Sequence, residues 1–449
     1  MARSIVFSTR EEIEAVQESN LREMWDLVAA RHPFYRDLVQ KLGWPHDHIR
    51  SLADLPKLPV TTKSMYMAEN SRFLLETAGL PDEMRMIWDT MHTTGSTSGK
   101  PTPFVSTTYD FYNILTAQRS MMELRGIRPT DIFANLYPIT KFPQGAFHRA
   151  IHSAAVMNVP VVTVFPGNPS EYFHHGNSLD EVISIVERTR ATVLHGVPSY
   201  LRRVFHRAEE LSSNLSAVRL LIPTGEPLNE PARAELVASL RRLGAPDPFV
   251  SVDYGATELQ GALVECHTGS GYHNPAPDQF YLEIVDPETY EPLPDGSEGL
   301  LLLTHLKRRG TVLLRYALGD VTVRVRTRCE YCGANTDRLV SVPRRADWLL
   351  KIKGMLVNPS LIAQVMDEIA SVRDYQIVIS KEDAADVLSM DRLTLRICVA
   401  GAAENLPREI GERVKRAVGV TPIIEFVEGG VIERPGSWKA TRVLDLRSN

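Results

Sequence analysis

The sequence predicts an α/β fold, and three features carry that prediction. From about residue 105 short β-branched runs alternate with helical stretches of roughly 10–15 residues, the pattern of a parallel sheet covered on both faces. After residue 275 strands follow one another across Pro, Gly and Asp turns with little helix between them. From residue 347 the remaining segment, about a hundred residues and near the usual domain minimum, reads helix, strand, strand, helix, strand. The expected architecture is a large N-terminal domain of parallel sheets with helices plus a small β-barrel-like sheet, followed by a small α+β C-terminal domain. The boundaries are set at 1–346 and 347–449.

Taken in order, "SLDEVISIVERTR" (178–190) spaces Leu179, Val182, Ile183 and Val186 at helical intervals behind a Ser cap. "ATVLHGV" (191–197) reads as a buried strand, and "PSYLRRVFHRAEEL" opens a helix with Pro198 in its first turn. "VRLLIPTG" is a strand, "EPARAELVASLRRLG" a helix closed by Gly244, and "PFVSVDYG" one further strand. "FYLEIVD", "GLLLLTHL" and "TVLLRYAL" form the antiparallel part. "SLIAQVMDEIA", "DYQIVIS", "RLTLRICVA", "PREIGERVKRAV" and "IIEFVEG" complete the last unit.

Bulk properties narrow the function. The 449 residues exceed the roughly 250–300 at which single cores stop growing, so two domains are the economical division. A net charge of −5 and a pI near 6.3 provide no basic footprint for nucleic acid. No run approaches the ~20 apolar residues of a membrane span, and the N-terminal stretch carries charges where a signal peptide needs its apolar core. Four cysteines make no disulfide framework, so a reducing, cytoplasmic setting is expected.

The stretch "MHTTGSTSGKPTPF" (91–104) gathers small residues, hydroxyls and a lysine. It is not the P-loop of ATPases: three residues, where four are needed, separate Gly95 from Gly99, and Pro101 takes the Mg²⁺-ligand position. Successive backbone amides and hydroxyls still form an anion nest, so a phosphate loop of another kind is expected. A solvated linker is the bland alternative. Four stretches follow: "PTGEPL" (223–228) after a strand, "DYGATE" (253–258) ending a strand, "RYALGD" (315–320) with Asp320 at a Gly turn, and "RRADWLLKIKG" (344–354) at the domain boundary. "GSWKATR" (436–442) places Lys439 near the C-terminus in an exposed loop. "CEYCG" (329–333) is a Cys-x₂-Cys zinc half-site, and "ECHTGSGYH" (265–273) offers Cys266 with His267 or His273 as the other half. Cys398 reads as a buried core thiol.

In this order and spacing the stretches resemble the adenylate-forming superfamily of acyl-CoA ligases, luciferases and peptide-synthetase adenylation domains. Within it the chain is most similar to the phenylacetate–coenzyme A ligase branch, over roughly residues 20 to 445. The resemblance implies ATP-dependent conversion of a carboxylic acid, aryl or arylacetic, to an acyl-adenylate with release of pyrophosphate. Transfer to coenzyme A then gives a thioester. It implies that Thr94, Ser96, Thr97, Ser98, Gly99 and Lys100 hold the ATP phosphates, and that Gly225, Glu226 and Pro227 line the nucleotide pocket. Asp253, Tyr254, Gly255 and Thr257 belong to the same pocket, with Tyr254 against the adenine. Asp320 accepts from the ribose hydroxyls. Arg345 reaches the ribose or phosphate at the domain boundary. Glu258 holds Mg²⁺, and Lys439 offsets charge developing at the α-phosphate. Asp347 is the implied hinge of a rotating C-terminal domain. Cys266, His273, Cys329 and Cys332 match a structural zinc set. His148 and His195 are candidates for the acid pocket, each with the alternative of a satisfied core histidine. Two residues depart from the family pattern, Ser96 and Trp438, where relatives commonly carry Gly. Three readings stay open: transfer to coenzyme A, transfer to a carrier-protein phosphopantetheine or an amine, and a nucleotide-binding regulator without turnover. A homodimer is compatible with each.

Overall fold

The computed structural model describes residues 4–92, 102–138, 145–166, 176–226, 228–345, 350–352, 355–383, 389–401, 405–428, 432 and 442–447. A five-stranded parallel sheet lies at the centre, in the order Val161–Thr163, Phe133–Asn135, Val193–Gly196, Leu220–Pro223, Phe249–Val250. Strand order reverses between Phe133–Asn135 and Val193–Gly196. The carboxyl ends of these two strands therefore form a switch-point crevice, where open α/β sheets bind ligands. Helices Gly145–Met157, Leu179–Thr189, Pro198–Glu210 and Glu230–Arg242 connect the strands. Their starts are locally encoded. Ser178 and Glu181 form a capping box, and Asn229 accepts from the Ala232 amide.

The run "PFVSVDYG" is not one strand. It breaks at Ser251 and Val252, and Asp253–Ala256 begins a second sheet. That sheet has eight strands, with the path Phe280–Val285, Glu298–His305, Tyr316–Val325, Arg338–Leu339, Tyr272–His273, Gly261–Val264, Asp253–Ala256; Arg344–Arg345 pairs beside Tyr316–Val325. The strand expected at "TVLLRYAL" also moves. It starts at Tyr316 and runs to Val325, so Asp320 lies within a strand and not at its terminal turn. The cause is a bulge. Leu300 pairs with Val321 but Leu302 pairs with Ala317, so two steps on one strand meet four on the other, and Gly319 takes φ +82°.

The C-terminal unit has its own core, built from residues between Ile352 and Val420. Its sheet runs Ile423–Phe426, Asp391–Val399, Val372–Lys381, Val443–Asp445, accompanied by helices Pro359–Asp367 and Leu406–Val418. Cys398, expected as a core thiol, is only half-buried near the end of its strand. Arg202 donates to Val372 O at 2.7 Å and Asn229 to the Asp367 carboxylate at 2.7 Å, tying this unit to the helices of the parallel sheet.

Three histidines are buried as neutral rings. Desolvation pushes His32 down from 6.5 to about 4, and His195 and His305 to about 3. The unfolded chain takes up these protons below about 6.5, whereas the folded chain resists until about 4 or lower. The stability they carry is therefore complete above 6.5 and falls as pH drops toward 4, by about 1.4 kcal/mol per histidine per pH unit once well below 6.5. Scanning calorimetry should show the melting temperature falling between pH 6.5 and 4.5, a window above that of ordinary carboxylates. His32→Gln should flatten that fall; a melting temperature constant across the window contradicts the assignment.

Candidate active site

The carboxyl ends of three neighbouring parallel strands converge on one crevice. After Phe133–Asn135 comes Tyr137, whose amide donates to Asn135 Oδ1 at 3.1 Å. Its ring stacks on His195, centroids 5.6 Å apart, and burial raises its hydroxyl to about 12. After Leu220–Pro223 come Thr224, Gly225 and Glu226. Gly225 has φ +90°, and a Cβ there would stand 2.8 Å from the Tyr137 hydroxyl, so only glycine lets the two segments close together. The Glu226 carboxylate faces the preceding helix, Pro198–Glu210: it accepts from the Ser199 amide at 3.1 Å and the Ser199 hydroxyl at 3.0 Å. Val197, at the N-cap of Pro198–Glu210, has no capping side chain of its own, so Glu226 supplies that cap.

Across the crevice lies the edge strand Asp253–Ala256. The Tyr254 hydroxyl donates to Asp320 Oδ2 at 2.6 Å, joining two candidate residues 66 positions apart. Asp320 lies in the bulged stretch of its strand, directly after Gly319. Gly255 is exposed, leaving the backbone beside Tyr254 open. The Asp253 carboxylate takes the Thr224 hydroxyl at 2.7 Å and Arg125 at 2.9 Å. Thr257 and Glu258 follow in a 3₁₀ turn. Glu258 Oε1 accepts from the Tyr316 hydroxyl at 3.2 Å. Its carbonyl receives the His305 Nε2 proton at 2.9 Å, the tautomer being set because His305 Nδ1 accepts from the Leu313 amide at 3.0 Å. The turn ends at Gln260 with φ +54°, held by the buried Arg149, which donates to Gln260 O and Oε1, each at 3.2 Å. A carboxylate so supported suits a hard cation that shares phosphate oxygens.

Arg345 pairs through its backbone opposite Asp320. His148 lies on Gly145–Met157, edge-on to Phe147, and is pushed down by burial. Among the described residues no contact joins it to His195. Thr94, Ser96, Thr97, Ser98, Gly99, Lys100, Pro227, Asp347 and Lys439 lie outside the described residues. The stem of the first loop is described: Ile87–His92 pairs antiparallel with Pro103–Thr107. Sequence reasoning missed Tyr137 and Tyr316. The position of Tyr137 directly after a strand at the switch point was the available signal.

A second cluster brings Cys266, His273, Cys329 and Cys332 together, with all ligand atoms within 4.8 Å of one another. His273 Nε2 is 3.8 Å from Cys266 Sγ and 3.4 Å from Cys332 Sγ, and the Cys266 and Cys329 sulfurs are 3.8 Å apart. A tetrahedral zinc with bonds of about 2.3 Å to sulfur and 2.0–2.1 Å to nitrogen puts its ligand atoms roughly 3.5–3.8 Å apart, so the donor set fits. His273 Nδ1 lies 3.2 Å from Val264 O, which leaves Nε2 aimed at the sulfurs. His267, the other histidine open from the sequence, instead stacks on Tyr331 at 4.1 Å.

The AMP-binding enzyme family matches residues 90–306, and its C-terminal domain family matches residues 354–447. The phenylacetate-coenzyme A ligase of Thermus thermophilus is 28% identical over 459 residues, covering 98% of this chain and 97% of that protein. Crystal structures of 2-hydroxyisobutyryl-CoA ligase share the fold. One, in the postadenylation state with 2-hydroxyisobutyryl-AMP (2-HIB-AMP), has a TM-score of 0.80 at 22% identity, covering 98% of this chain and 90% of that one. Another, with 2-HIB-AMP and CoA in the thioesterification state, has a TM-score of 0.67 at 23% identity, covering 98% and 91%. The chain belongs to the adenylate-forming, AMP-binding enzymes, in their phenylacetate–coenzyme A ligase-like branch.

Proposed function

We propose that this enzyme activates a carboxylic acid with ATP and passes the acyl group to coenzyme A. The observation that carries the reading is the Tyr254–Asp320 hydrogen bond, on the strand that leads into the Glu258 turn and that Thr224 ties through Asp253 to the parallel sheet. In the first step a carboxylate oxygen attacks the α-phosphorus. The bond to the bridging β-phosphate oxygen breaks, and pyrophosphate leaves with that electron pair. In the second step the coenzyme A sulfur attacks the acyl carbon and AMP departs.

Tyr254 would offer a flat face to the adenine, and Asp320 would accept from the ribose hydroxyls. The loop from Thr94 to Lys100, joined to the described stem, would bind the β- and γ-phosphates. Glu258 would hold Mg²⁺, which spreads the phosphate charge. Lys439, from the C-terminal unit, would stabilise the α-phosphate as charge builds there. We further propose that residues 347–449 turn about Asp347 between the two steps. The acid, aryl or arylacetic, would lie between the helix carrying His148 and the Tyr137–His195 stack. Coenzyme A is favoured over a carrier protein or an amine because the relatives of this branch are named as CoA ligases. Four unpaired cysteines favour a reducing cytoplasm.

Incubated with ATP, Mg²⁺, coenzyme A and a panel of aromatic, arylacetic and aliphatic acids, the enzyme should form acyl-CoA and AMP in equal amounts, with the aromatic acids turned over fastest. Lys439→Ala should slow adenylate formation by ~10²–10³ while leaving supplied adenylate able to react with coenzyme A. AMP formation with no thioester would overturn the acceptor, and unslowed adenylation in the variant would overturn the role of Lys439.

We also propose one structural Zn²⁺ at Cys266, His273, Cys329 and Cys332. A closed four-ligand site supplies folding energy and no open coordination position. Elemental analysis of untagged protein should find one zinc per chain, and Cys329→Ser should lower the melting temperature far more than the remaining specific activity. Metal-free protein of full stability would remove the site.

A further inference from the structure

We infer that Arg125 is a positioning residue of the nucleotide site, holding the strand that carries Tyr254 at a fixed angle to the Thr224–Glu226 segment. The inference rests on the proposed nucleotide-binding role of Tyr254 and Asp320. Arg125 stands at the C-cap of helix Thr108–Leu124, where a cation also meets the negative end of the helix. Its guanidinium reaches both sides of the break between the sheets. Nε donates to Ser251 Oγ at 3.0 Å, just past the last parallel strand, and Nη2 donates to Asp253 Oδ2 at 2.9 Å, at the start of the antiparallel edge strand. The other Asp253 oxygen takes the Thr224 hydroxyl at 2.7 Å, next to Gly225. Arg125 and Asp253 have side chains only 1% and 6% exposed. The Asp253 carboxylate, a candidate nucleotide contact from the sequence, is thus directed into the protein, and its part in the site is exerted through the strand it anchors.

The network extends behind the strand. Ser251 Oγ donates to Glu265 O at 2.7 Å, and Glu265 Oε2 accepts from the Val252 amide at 3.1 Å, so the two residues of the break are pinned on both sides. Arg233 in turn pairs with Glu265 at 3.0 Å. A buried ion pair of this kind is poor evidence for stability, because desolvation offsets most of its attraction, but it fixes geometry. Removing one partner leaves an uncompensated buried charge; removing both does not.

The test measures KM for ATP, KM for the acid and kcat in acid-dependent pyrophosphate release for Arg125→Met, Arg125→Lys, Asp253→Asn and the double variant Arg125→Met/Asp253→Asn, with Tyr254→Ala as the control on the parent reading. Arg125→Met should raise KM for ATP by about tenfold or more while changing kcat and the KM for the acid by no more than about threefold. Arg125→Lys should recover part of the loss, and the double variant should bind ATP better than Arg125→Met. An unchanged KM for ATP in Arg125→Met, or equal loss of both KM values and kcat with no recovery in the double variant, would overturn the inference. If Tyr254→Ala leaves KM for ATP unchanged, the nucleotide reading itself fails, independently of how the Arg125 variants behave.

Discussion

The arrangement depends on one passage of the chain, where it leaves the parallel sheet after Val250 and enters the antiparallel sheet at Asp253. Backbone groups that leave a ladder in a buried place must find new partners. Here the Ser251 amide still reaches Leu221 O at 2.9 Å, and the Val252 amide is taken by the Glu265 side chain. Neither residue of the break is free to relax. Tyr254, Gly255, Thr257 and Glu258 all lie within a few residues beyond it, so the candidate nucleotide site inherits its geometry from this crossing. Thr224 and Gly225 approach from the neighbouring parallel strand and meet the same crossing through Asp253.

The cysteine–histidine cluster belongs to the same piece of architecture. Val264 pairs with Asp253 on one side and with His273 on the other, and its carbonyl is also the partner of the His273 ring. One short strand therefore separates the cluster from the strand that carries the candidate nucleotide-site residues. A metal there would act by holding the outer edge of Gly261–Val264, an effect on the folded framework and not on the reacting atoms.

Features decided by neighbouring residues were legible in the sequence. Ser178 and Pro198 start their helices as read, and the Cys-x₂-Cys spacing identified half of the cluster. Features decided by distant partners were not. Hydrophobic pattern alone cannot reveal that a strand run changes sheet, so "PFVSVDYG" read as one element. Asp320 was expected at a turn because Gly-Asp is a turn signal, whereas the pairing of Leu300 and Leu302 places it in a bulge within the strand. A buried arginine looks like a surface one until its partners are known, which is why Arg125 and Arg149 carried no signal. Spacing alone left His267 and His273 open; the resemblance pointed to His273, and the fold brings that histidine to the three sulfurs.

The central claim is that the first half-reaction takes place in the crevice between the sheets, with Lys439 supplied by the C-terminal unit, and needs no coenzyme A. Exchange of labelled pyrophosphate into ATP in the absence of coenzyme A tests it most directly. The account predicts exchange that requires the acid and Mg²⁺ and is lost in Asp320→Ala. Exchange that requires coenzyme A, or that proceeds equally in Asp320→Ala, would contradict it.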